Sequence, residues 1–135
     1  MSRWHSASRS TRWAAAALAI VLFYGTAVHV FQLVGSGLSA YACLPAWLRT
    51  YFIALVVFDP LAAFLVVLRR RSGIALAVAV LTTDAVANGW ANYVLDSDPG
   101  VTAGRVGHGV ITVLAVSACA FAPHLWQATA PTSAR

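Results

Sequence analysis

Four long apolar runs constrain the fold of this chain more than any other feature of its sequence. Residues 13–34 contain no formal charge, 50–68 contain only Asp59, 74–95 contain only Asp84, and 106–122 contain none. A bilayer core about 30 Å thick is crossed by roughly 20 helical residues. The runs therefore predict an all-α fold, an integral membrane four-helix up-down bundle. We expect spans at approximately 13–34, 50–68, 74–95 and 104–122, with polar tails at 1–12 and 124–135.

The composition agrees with this interpretation and excludes a soluble domain. Hydrophobic residues make up 60% of the 135 residues, charged residues make up 10%, and the mean hydropathy is +0.75. Soluble domains carry about 25% charged residues. A cleavable signal peptide is the competing interpretation of the N-terminus, but its apolar segment is normally much shorter than 13–34.

The basic residues predict the orientation of the helices. All nine are arginines, and those expected on one side of the bilayer outnumber those on the other by seven to two. Positive loops face the cytoplasm, so both termini and the turn at 69–72 should be cytoplasmic, with anionic headgroups nearby. The all-arginine, alanine-rich composition suggests a GC-rich genome, and we expect a bacterial-type inner membrane. The distribution of the +5 net charge argues against nucleic acid. The cytoplasmic set is Arg3, Arg9, Arg12, Arg69, Arg70, Arg71 and Arg135; the other set is Arg49 and Arg105.

Polar residues inside the runs predict a site in the outer half of the bundle. Asp84, Asn88 and Asn92 recur at every fourth residue and therefore share one helix face. A carboxylate at the bilayer centre is costly, so this face should point toward protein or water. Asp59 lies at a similar depth and precedes Pro60, which frees a backbone carbonyl. The two carboxyl groups could share one proton.

Two histidines, His29 and His108, are expected at similar depth on the first and last helices. Facing histidines can ligate haem axially or, with Asp84, a transition metal. The sequence contains no CxxC, HExxH or Glu-x-x-His pattern. We therefore predict no cofactor and no metal, and keep haem ligation by His29 and His108 as an alternative.

Three functions fit these residues. The first is an outward-facing polar pocket for a small ligand or proton, formed by Asp59, Asp84 and five further candidate residues. The second is a non-catalytic membrane subunit, assembly factor or lipid-interacting protein, whose polar residues only fix helix packing. The third is an intramembrane enzyme that uses Asp59 or Asp84 as acid or base on a lipid-soluble substrate. Expected partners are the lipid bilayer and a homodimer or membrane-complex partner. The remaining pocket candidates are His29, Asn88, Trp90, Asn92 and His108.

Overall fold

The computed structural model describes residues 4–5 and 7–129, and these form four long helices. They are α1 (Arg9–Ser36), α2 (Ala46–Val67), α3 (Arg71–Trp90) and α4 (Ala103–Ala128). A short 3-10 helix, Gly37–Tyr41, follows α1, and a π-helical turn, Ala91–Leu95, extends α3. No strand occurs in the described residues. Each helix is long and apolar enough to cross a membrane, with α3 counted to Leu95. The prediction of an all-helical chain with four such helices is confirmed.

All four helices begin before the ranges expected from hydropathy, and α1 and α4 also end beyond them. Helix α1 begins at Arg9 because the Ser8 side chain accepts a hydrogen bond from the Thr11 amide, at 3.2 Å, and caps the first turn. Helix α4 continues past Pro123 to Ala128, although proline removes a backbone hydrogen bond. The buried Leu125 side chain anchors this last turn to the bundle. Helical structure therefore includes residues 9–12 and 124–128, which were expected in the tails.

Glycine permits the tight hairpin between α2 and α3. A Cβ atom at Gly73 would lie 2.5 Å from the backbone nitrogen of Val66, so only a residue without a side chain allows this approach. The Arg70 amide donates to the Leu65 carbonyl at 3.0 Å, and Arg69 adopts a positive φ of 59°. These contacts close the turn and set α3 antiparallel to α2.

Three contacts place the N-terminal segment, the α2–α3 turn and the end of α4 at one end of the bundle, here called the basic end. The Trp4 indole N–H donates to the Val66 carbonyl at 3.1 Å. The Arg69 Nε donates to the Ala128 carbonyl at 2.7 Å. The Arg71 guanidinium lies 5.4 Å from the centre of the Trp126 ring. The predicted grouping of Arg3 and Arg135 with this end concerns residues outside the described part of the chain.

The helices pack unequally. Helix α2 is central: it packs against α1 on one side and α3 on the other, and α3 packs against α4. Helices α1 and α4 make far fewer contacts with each other. The bundle therefore has one loosely closed side, here called the α1–α4 seam. The end opposite the basic end, formed by residues 37–45 and 96–102, is called the loop end.

Candidate functional site

A polar cavity of about 500 Å³ lies between the four helices, in the half of the bundle nearer the loop end. Its volume falls within the roughly 300–1,000 Å³ typical of small-molecule sites. Apolar side chains such as Phe52, Leu81 and Leu114 form much of its wall. Four of the six predicted site residues line it, together with three polar residues that were not among the predicted ones. Its polar lining residues are Tyr24, His29, Gln32, Tyr41, Asp59, Asp84 and Asn88.

Asp59 is the most deeply buried acid of this cavity. Its side chain is 5% exposed, and it makes no side-chain hydrogen bond to any described residue. Helix α1 makes room for the carboxyl group with a glycine, because a Cβ atom at Gly25 would lie 2.6 Å from Asp59 Oδ2. Such a buried carboxylate is costly unless it is paired or hydrogen-bonded. Asp59 therefore presents an unused acceptor to the cavity.

Asp84 and Asn88 form a second acceptor group on α3. The Asn88 Nδ2 donates to the Asp84 carbonyl at 3.0 Å and to Asp84 Oδ1 at 2.9 Å. An amide nitrogen carries two hydrogens, so both are used in these bonds. The Asn88 Oδ1 and the Asp84 Oδ2 remain without a hydrogen bond among the described residues. Both free atoms are acceptors.

His29 is oriented by a hydrogen-bond chain at the loop end. The Tyr41 hydroxyl donates to Gln32 Oε1, and His29 Nδ1 lies 3.0 Å from the same hydroxyl. The tyrosine proton is already used, so His29 Nδ1 must donate, and Nε2 of the neutral ring is then an acceptor. The His29 and Tyr41 rings both stack on Phe52, with centroids 6.1 and 5.5 Å away.

The tyrosine keeps its proton at neutral pH. Burial raises the pKa of the Tyr41 hydroxyl above its ordinary value of 10.0, and the negative charge of Asp84 raises it further. Tyr41 lies in the 3-10 helix between α1 and α2 and not in a long helix. The hydroxyl therefore remains a donor to Gln32, which fixes the acceptor state of the His29 Nε2 atom described above.

The unused polar atoms of the cavity are mostly acceptors. They are the carboxyl oxygens of Asp59, one oxygen of Asp84, the amide oxygen of Asn88 and the His29 Nε2. The donors without a hydrogen bond among the described residues are the Gln32 amide nitrogen and the Tyr24 hydroxyl. No Lys or Arg belongs to its described lining. The arrangement is suited to bind a group that donates several hydrogen bonds and carries positive charge. It is equally able to hold a proton on one of its carboxyl groups.

The structure places Asn92 outside this cavity, in the interface between α3 and α4. Its Nδ2 donates to the Asn88 carbonyl at 2.8 Å, and its own carbonyl accepts from Arg105 Nε at 3.1 Å. The Asn92 Oδ1 fills the space that a side chain at Gly104 would occupy. The predicted stripe is therefore divided, and its third member packs helices together. Trp90, expected in the wall, is 47% exposed and is not a lining residue.

His108 also lies in the α3–α4 interface and does not meet His29. A Cβ atom at Gly89 would lie 3.1 Å from His108 Cε1, and the Tyr93 ring packs edge-on against the imidazole with centroids 5.3 Å apart. The buried Nδ1 has no hydrogen-bond partner among the described residues. Within the same residues, no group of three or more His, Cys, Asp or Glu side chains could hold a metal. Haem ligation by both histidines remains an untested alternative.

Besides Tyr24, three residues of this site were not predicted from the sequence. Gln32 lies three positions after His29, so helical spacing could have placed both on one face. Gly25 lies four positions before His29 and could have been found in the same way. Tyr41 lies outside the four apolar runs, and nothing in the sequence indicates that the chain folds back to bring it to His29.

No protein-family model matches this chain, and no curated protein or solved structure matches it either. The chemistry of the cavity is therefore the basis for a functional proposal.

Proposed function

We propose that this chain is a multi-pass protein of a bacterial-type inner membrane that binds a small cationic hydrogen-bond donor in an outward-facing cavity. The single observation that carries the proposal is the Asp59 carboxyl group, which is 5% exposed and has no hydrogen-bond partner among the described residues. Ionisable groups inside membrane-spanning segments commonly belong to ligand or ion pathways. A primary ammonium group would supply both the missing charge and the missing donors.

The orientation follows from the basic end. Arg69, Arg70 and Arg71 lie at the end that also holds both chain ends of the described region. Cytoplasmic loops are enriched in such residues, which supports cytoplasmic termini and a cavity in the outer half of the membrane. In this orientation the cavity is nearer the outer surface than the cytoplasm.

The strength of the proposed contacts can be estimated. Hydrogen bonds to charged groups contribute about 1.5–3 kcal/mol each. Removing the charge of one carboxylate should therefore weaken the binding of a small ammonium ion by about tenfold to a hundredfold. Neutral molecules of the same size can donate hydrogen bonds to the carboxylates, but they bring no positive charge to offset the buried negative charge.

Thermal-shift titration of the purified protein in detergent tests the proposal. Methylammonium should raise the melting temperature of the parent protein, and acetate and urea should not. Asp59→Asn and Asp84→Asn should each weaken the methylammonium response by about tenfold or more. Asp98→Asn is the matched control, since this exposed carboxylate lies in the loop between α3 and α4. An equal response in parent and both cavity variants would contradict the proposal.

Proton transfer by the two carboxyl groups is the second candidate. It is favoured by the same unpartnered state of Asp59, because a carboxyl group without a donor can itself take up a proton. Protein in vesicles should then dissipate an imposed pH gradient, and Asp59→Asn should abolish this flux. If neither amine binding nor proton flux depends on Asp59, and the variants instead lose stability, a role in helix packing becomes the better explanation. Turnover of a lipid-soluble substrate that depends on Asp59 or Asp84 would favour the enzyme.

A further inference from the structure

A second cavity occupies the other half of the α1–α4 seam, toward the basic end. Its volume is about 470 Å³. Helix α1 contributes Trp13 and Ala17 to its wall, and α4 contributes Ala118 and Phe121. Apart from two serines, the described residues that line it are apolar. This half of the seam therefore offers hydrocarbon contacts and almost no hydrogen-bonding groups.

The two cavities meet in the middle of the seam. Val21, Leu81 and Leu114 line both of them. Their linings together extend along α1 from Trp13 to His29, a distance of about 24 Å at the helical rise per residue, and this stretch of the seam is here called the groove. The groove is apolar over its half near the basic end and rich in acceptors over its other half. It is thus amphipathic along its length.

The groove is open sideways because α1 and α4 barely pack together. Of the residues of α4, from 103 to 128, only Ala115, Ala118 and Leu125 are buried. At the apolar half, Trp13 is 66% and Phe121 is 53% exposed. In a membrane this side of the bundle faces acyl chains, so a molecule dissolved in the bilayer can enter the groove laterally.

A second copy of this chain does not match the groove. The four apolar runs of the sequence contain no Lys or Arg, so a helix of another copy would bring no cation to Asp59. It would instead cover the free acceptors with apolar side chains, which leaves buried polar groups unpaired at a cost. Charge complementarity requires an occupant that has a donor-rich cationic group at one end only.

We infer that the groove binds a single-chain amphiphile with a primary ammonium head, and this inference rests on the proposed function. The head lies among Asp59, Asp84 and the acceptor Nε2 of His29, and the tail lies along Ala17 and Trp13. Phosphate-bearing heads are disfavoured, because their negative charge would face Asp59 and Asp84 and the described lining holds no Lys or Arg. An alkyl chain matches the apolar half of the seam.

Thermal-shift titrations in one detergent, comparing methylammonium with decylamine, test this inference. Ala17→Trp places a large ring in the apolar half and should weaken decylamine binding by about tenfold or more, while methylammonium binding stays unchanged. Ala27→Trp is the matched control, because Ala27 is exposed on the same helix and lines neither cavity. Since all variants share the same micelles, partitioning of decylamine into detergent cancels in the comparison.

A second measurement does not depend on the Ala17 variant. Decylamine brominated at its chain end should quench the fluorescence of Trp13. The parent protein should show this quenching, and Trp13→Phe should not. Equal decylamine binding in parent and Ala17→Trp, or no quenching that depends on Trp13, would overturn the inference while leaving the methylammonium site intact. If Asp59→Asn does not affect methylammonium, the proposed function fails. If decylamine nevertheless quenches Trp13, the groove is an apolar site only, and the ammonium head assignment is overturned.

Discussion

Two polar clusters that share helix α3 have opposite characters. In the cavity, Asp59 and the Asp84–Asn88 pair face open space and retain unused acceptors. In the α3–α4 interface, Asn92 is bonded to the neighbouring turn and its oxygen fills the hollow at Gly104. Residues of the same chemistry, one helical turn apart, thus serve different purposes. Depth and helical spacing therefore identify candidate site residues, but the space around each side chain decides its role.

The largest test of this comparison uses two glycines three positions apart on α4. A Cβ at Gly104 would displace the Asn92 side chain, whereas a Cβ at Gly107 meets nothing within 4 Å. Gly104→Ala should therefore lower the free energy of unfolding by about 1 kcal/mol. Gly107→Ala should raise it by up to about 1 kcal/mol, because alanine favours the helix. Denaturation in mixed micelles measures the free energy of unfolding of both variants. Equal changes in the two would remove the distinction between the interface and the cavity.

The histidines offer the next largest contrast. The buried His108 Nδ1 has no partner among the described residues, and an unpaired buried polar group costs about 1–3 kcal/mol. His108→Phe should raise the free energy of unfolding by about 1 kcal/mol without changing methylammonium affinity. His29→Phe should lower the free energy of unfolding by about 1 kcal/mol, because it breaks the bond to Tyr41, and should also weaken methylammonium binding.

Two other experimental outcomes would change the roles assigned to the two histidines. If His108→Phe weakens methylammonium binding, the two clusters are functionally one. An absorbance band in the haem Soret region, lost in both histidine variants, would establish the haem alternative and set His108 beside His29 as a ligand.

The asparagines give the smallest effect. Interhelical polar contacts in membranes average about 0.6 kcal/mol, and Asn92→Ala should lower the free energy of unfolding by about that amount with no effect on methylammonium. Asn88→Ala removes the amide that bonds to Asp84 and should weaken methylammonium binding severalfold at a similar loss of stability. Unfolding curves and thermal-shift titrations on the two variants separate the roles. A ligand effect at Asn92 would extend the cavity to the third member of the stripe.

Much of the candidate site was accessible from the sequence, for an identifiable reason. Hydrocarbon excludes lone carboxylates, so Asp59 and Asp84 were expected to point into the bundle, and both line one cavity. Asn88 follows from helical spacing. His108 and Asn92 were expected in the same pocket because their depth is similar, but rotation about the helix axis places them in another interface. The depth of a residue is set by its position in the apolar run, whereas the direction of its side chain depends on how its helix packs against the others.

The sequence by itself determined four long apolar helices and their alternating direction, because run length and hydrocarbon thickness leave few alternatives. It also determined that acids occur at mid-depth on α2 and α3. Only the tertiary structure decided that α1 and α4 stay apart, that Gly25 gives Asp59 its space, and that Tyr41 folds back to His29. These features arise from side-chain packing between helices distant in the chain, and hydropathy contains no information about which faces meet.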